Sequence, residues 1–165
     1  MSRQLDSLCV LSLALLFSTY GPVDAQTKDD GSLYQKSLRA YAEAKSEQGG
    51  IKDNLVVRAN NVIQDVHVAE NFPSKIGSLT IEYLTDNLLL ERYRRIGKGF
   101  PIVEILPMRN SLGLLVVGCA EYRVEVRHGK LVLGVFGGYE IHWQFDCSKH
   151  EYVSVNVKRW NALTL

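Results

Sequence analysis

Four histidines, three cysteines and the carboxylates near them are the groups here whose types could do chemistry. A catalytic or metal site needs such groups to converge, so spacing matters more than presence. His128 and His150 fall in turn segments, where exposure is the ordinary condition, and His67 lies in a weakly patterned stretch. His142 stands apart. It alternates with Ile141 and Trp143, which places it on the polar face of a strand between Glu140 and Gln144. An imidazole among such neighbours is a candidate for proton transfer. No second histidine comes within ligand reach of it, so no metal site is expected, and nothing calls for a cofactor.

The sequence holds no Gly-x-Ser-x-Gly elbow, no His-Glu-x-x-His, no paired-cysteine zinc spacing and no phosphate-cradling glycine loop. Gly97-Lys98-Gly99 reads as the end of a helix. Tyr122, Tyr139 and Trp143 occupy apolar strand positions, where an aromatic side chain is usually core. They become candidate ligand-binding residues if sheet and helices enclose a pocket. His142 or Glu121 would then be its polar group, provided the polar face is the enclosed one.

The elements that must position these residues run from Leu112 to Trp160. Period-two alternation marks strands there. Ala120, Tyr122, Val124 and Val126 form one row, Leu131, Leu133 and Val135 a second, Tyr139, Ile141, Trp143 and Phe145 a third, and Val153, Val155 and Val157 a fourth. Turns at His128-Gly129, Phe136-Gly137-Gly138 and Ser148-Lys149-His150 join them into a four-strand meander with one apolar face. That register pairs Val124 with Leu133, Leu133 with Ile141, Trp143 with Val155, Ile141 with Val157 and Glu140 with Lys158. It sets His142 beside Asn156 and near Glu125, with Glu121 on the solvent row. It also holds Cys119 and Cys147 at opposite ends of the sheet, so both thiols are expected to be unpaired.

Upstream, Ser32 and Gln35 fit a capping box before a helix to about Gln48, with Tyr34, Leu38 and Tyr41 on one face. Strands are expected around Leu55–Ala59, at Val66 and Val68, and over Leu79–Tyr83. A shorter helix follows Thr85-Asp86 and stops at Gly97. Phe100–Leu106 reads as a strand and Pro107–Ser111 as a connection. The fold class is therefore α+β: an N-terminal helix and one short helix packed on a curved antiparallel sheet. This element order resembles the cystatin-like and NTF2-like architectures. The resemblance is one of order alone, and folds of this kind carry unrelated activities.

Residues 1–25 read as a cleavable signal peptide, with Arg3 ahead of the apolar run Leu8–Phe17 and Val23-Asp24-Ala25 at its end. Residues 26–165 suit a single domain, without a further membrane span. The net charge of +1 is too close to neutral for nucleic acid to be an expected partner. The leading expectation is a secreted or periplasmic, non-catalytic domain that binds a small molecule or a protein. The alternative is a small NTF2-like enzyme or ligand-binding cup with a sheet-lined pocket.

Overall fold

Tyr34, Leu38 and Tyr41 recur at helical spacing, and α1 (Asp30–Glu47) turns them toward the sheet, Leu38 and Tyr41 becoming buried. The helix begins upstream of Ser32, which therefore lies within it. It ends where two glycines allow a left-handed step: Gly49 has φ of 69°. The amides of Gly49 and Gly50 reach back to the carbonyls of Ser46 (2.9 Å) and Lys45 (3.0 Å), satisfying C-terminal carbonyls that would otherwise be orphaned. The computed structural model describes residues 30–51, 53–64 and 72–162. The signal-peptide segment, Val66, His67 and Val68 lie outside them.

The protein is α+β, with three helices and a mixed, largely antiparallel open sheet among the described residues. After α1 come β1 (Asn54–Arg58), the single-turn α2 (Asn61–Gln64), β2 (Lys75–Ile76), β3 (Leu79–Leu84) and α3 (Asp86–Ile96). Then follow β4 (Phe100–Ile105), β5 (Arg109–Ser111), β6 (Leu114–Arg127), β7 (Lys130–Asp146) and β8 (Glu151–Asn161). The spatial order is β2-β3-β1-β4-β6-β7-β8, with β5 paired to the far end of β6. β1 runs parallel to both β3 and β4. The antiparallel sheet expected from the sequence is thus mixed, because α3 carries the chain from β3 across β1 before β4 begins.

The long C-terminal block contains three strands, not four. The His128-Gly129 turn forms as its residues suggest, with φ of 52° and 77° and Val124 opposite Leu133. Phe136-Gly137-Gly138 is not a loop. β7 runs straight through it, pairing Val135 with Tyr122 and Gly137 with Glu121, and Phe136 is the extra residue of a bulge. Leu133 therefore never meets Ile141, whose partner is Val117, and Trp143 lies opposite Leu115. The glycines are small for steric reasons. A Cβ on Gly138 would stand 2.4 Å from the Cys119 carbonyl oxygen and 2.7 Å from the Trp160 ring.

One extra residue reverses the alternation. Leu131 and Leu133 pack with Leu89 and Tyr93 beneath α3, whereas Tyr139, Ile141 and Trp143 pack with Leu38 and Tyr41 beneath α1. The sheet buries both faces, and the single apolar face expected from the sequence is divided between them. Hence Glu121, assigned to a solvent row, lies under α1 at 3% exposure. The turn after β7 is one residue longer than the expected Ser148-Lys149-His150 loop, Asp146 pairing with Glu151, so Trp143 faces Ser154; a second bulge at Val155 offsets that shift and restores the Ile141–Val157 and Glu140–Lys158 pairs. What read as a connection after Pro107 includes β5. The thiols of Cys119 and Cys147 are free; Cys119 pairs with Tyr139 in mid-sheet and Cys147 lies beyond the far end of β7.

Candidate functional site

β1 and β4 share one paired position, Val57 opposite Val103. On the C-terminal side of it, Arg58 Nη1 donates to Glu104 Oε2 at 3.0 Å and holds the strands together. On the N-terminal side no ladder pair joins them, and Asn54–Val56 and Phe100–Ile102 line part of a cleft of about 500 Å³. That volume falls within the range of about 300–1,000 Å³ ordinary for small-molecule sites. Its walls are mostly apolar: Leu55, Val56, Ile102 and Val103 from the strands, Ile51 from the loop after α1, and Phe136 from the bulge.

Three elements bring polar groups to this cleft. Glu121 is opposite Val103 on β6 and shares its face. From α1, Tyr41 donates its hydroxyl to Glu121 Oε1 at 2.9 Å, and Lys45 Nζ lies 2.5 Å from the same oxygen. Lys45 reaches there because it folds back against Gly50, where an added Cβ would meet Lys45 Cε at 2.7 Å. Burial, with the Glu121 carboxylate adding to it, pushes the Tyr41 hydroxyl well above its usual range and keeps it a donor. Burial also raises the neighbouring Cys119 thiol to about 12, with Glu121 again contributing. From α3, Arg92 closes the other side, its guanidinium 5.3 Å over the Phe100 ring and paired through Nη1 with Glu82.

A buried carboxylate neutralised by lysine and held by tyrosine can orient a polar ligand group or set the shape of the cavity wall. The described residues contain no group of three or more His, Cys, Asp or Glu able to hold a metal ion.

The residues singled out from the sequence do not converge on this cleft. Tyr139 is buried, donates to Gln48 Oε1 at 2.8 Å and meets Tyr41 edge-to-face at 5.4 Å, one layer behind the wall. Trp143 donates to Ser37 Oγ at 2.9 Å under α1. Tyr122 packs on the opposite face, against the α3 cluster. His142 faces Val116 across one strand and Asn156 across the other, so the expected proximity to Glu125 does not exist. Its Nε2 lies 3.6 Å from Glu140 Oε2, and Glu140 in turn pairs with Arg109 at 2.5 Å. Of the polar groups named beforehand, Glu121 is the one that lines the cleft.

Sequence reasoning missed Tyr41, Lys45 and Arg92 as site residues. Tyr41 and Lys45 are i, i+4 on a helix, a spacing that puts them on one face, but nothing local says which face meets a buried acid. No family model, curated protein or solved structure matches this chain.

Proposed function

We propose that the protein is a non-catalytic binding domain, exported by its N-terminal signal, that takes a small and mainly apolar molecule into the cleft between β1 and β4. The observation that carries this reading is the single paired position between two otherwise well-ordered parallel neighbours. The cleft is lined mostly by apolar side chains, with Ile51 and Phe136 among the partly exposed ones. The NTF2-like or cystatin-like character of the fold remains a resemblance of element order. The catalytic alternative rests on His142 or Glu121 moving a proton; Lys45 and Tyr41 both engage Glu121 Oε1, which favours a structural or orienting carboxylate.

Titration with the neutral dye N-phenyl-1-naphthylamine tests the reading, because its emission rises in apolar sites. Uptake by the folded protein, reduced in Ile51→Trp at the rim of the cleft, supports it. No uptake, or uptake that Ile51→Trp leaves unchanged, overturns it. Turnover of any substrate that His142→Ala or Glu121→Gln removes would instead establish the enzyme.

A further inference from the structure

The β6–β7 hairpin and the C-terminal end of α3 meet at one pole of the molecule, away from α1. α3 closes with Arg94, Arg95 and Ile96, and Gly97-Lys98-Gly99 leads into β4, whose Phe100 and Pro101 pair with Val124 and Arg123 of β6. A Cβ added to Gly99 would stand 2.7 Å from the Val124 carbonyl oxygen, so this linker lies directly on β6. Tyr93 of α3 packs in one cluster with Leu131 of β7, next to the turn where Arg127 pairs with Lys130. Residues 94–98 and 123–130 thus hold six Lys or Arg and one carboxylate, Glu125, a local charge of +5 in a chain whose net charge is +1. All six cations are exposed. Arg127 pairs with Glu125 at 3.0 Å, but Arg94, Arg95, Lys98, Arg123 and Lys130 have no ion-pair partner among the described residues. The α3 dipole accounts for Arg94 and Arg95 in its last turn. It does not account for the other cations, which lie outside the helix.

We propose that this pole docks the protein on an anionic lipid bilayer, the cations meeting headgroup phosphates and Ile96 entering the interface. The proposal is independent of the cleft. Like charges gathered this closely repel one another, and an anionic surface relieves that repulsion. A two-residue turn and a helix end project, which suits a broad surface better than a small ligand. Ile96 is 40% exposed among the cations, and apolar contact beside basic residues is what a lipid interface rewards. Single-stranded nucleic acid is held by aromatic stacking as well as charge, and these two segments contain no Phe, Tyr or Trp.

Sedimentation of the full chain with vesicles tests it, using phosphatidylcholine alone or mixed with phosphatidylglycerol. Residues 1–25 are common to every protein compared, so the readout is the excess bound to the anionic vesicles. That excess should vanish at about 1 M salt, where the screening length is about 3 Å. It should fall on the order of a hundredfold in the triple variant Arg94→Gln/Lys98→Gln/Lys130→Gln, at about fivefold for each cation removed. The variant Lys36→Gln/Arg39→Gln/Lys75→Gln removes as much charge from exposed positions elsewhere and should bind as the wild type does. Equal binding to both kinds of vesicle, or an equal loss in both triple variants, overturns the proposal. Salt-sensitive binding to duplex DNA without binding to vesicles overturns it in favour of nucleic acid. The comparison of vesicles with the wild-type protein decides the matter should a variant not fold.

Discussion

Val57 pairs with Val103, and this is the sole position at which β1 and β4 are joined as a ladder. One residue further along, the Arg58 fork holds Asp86 through Nε and Nη2 at 2.7 and 2.8 Å and Glu104 through Nη1 at 3.0 Å. This charged clamp holds the two strands together at their C-terminal ends. The Arg58 side chain raises its own proton affinity by that pairing and holds the Asp86 carboxyl below its ordinary range.

The two partners of the buried ion pair should differ in their cost of removal. Lys45→Met leaves Glu121, with a side chain 4% exposed, as an uncompensated carboxylate, whereas Glu121→Gln leaves a lysine that is 16% exposed and can turn to water. Urea unfolding should give a loss of about 3 kcal/mol for Lys45→Met and about 1–2 kcal/mol for Glu121→Gln. The reverse order would mean that Lys45 does not support Glu121.

Glycines of β7 should respond oppositely to a methyl group. Gly138→Ala forces its Cβ into the Cys119 carbonyl and the Trp160 ring, while Gly134→Ala meets nothing within 4 Å. We expect Gly138→Ala to cost about 3 kcal/mol and Gly134→Ala to be neutral or stabilising by up to about 1 kcal/mol. Similar thermal shifts for both would contradict the continuous β7 strand.

Alkaline pH should weaken the fold through Cys119. Its folded-state thiol is raised to about 12 by burial, whereas an unfolded cysteine ionises near about 8.5. Between these values unfolding releases a proton, so stability is intact below the lower value and falls as pH rises toward the upper. Cys119→Ala should lessen the slope by about one proton over that window. In native protein, alkylation mapped by mass spectrometry should mark exposed Cys147 and spare Cys119 until unfolding.

Export predicts a new N-terminus. N-terminal sequencing of protein recovered outside the cytoplasm should begin at Gln26, following the Val-Asp-Ala ending. Recovery of the intact Met1 terminus there would remove the export reading.

Features that depend on a few adjacent residues were legible in the sequence. Gly49-Gly50 and Gly97 end helices because each end takes a glycine into the left-handed region, and His128-Gly129 closes a two-residue turn for the same reason. Helical and strand periods placed α1, β3, α3 and β4, whereas Glu140 meets Lys158 only because the bulge at Val155 offsets a turn one residue longer than its sequence suggested. Tertiary structure decided what depends on contacts distant in sequence. Phe136-Gly137-Gly138 has the composition of a turn, yet Trp160 lies against Gly138 from another strand and the chain passes straight on. That bulge sends Tyr139, Ile141 and Trp143 to the opposite face from Leu133. Burial of Glu121 requires α1 above it, and the cleft requires β1 and β4 to be neighbours although 45 residues separate Val57 and Val103 from Arg58 to Ile102. Alternation reports that a strand has two faces; which face is covered, and by what, is settled only when the layers pack.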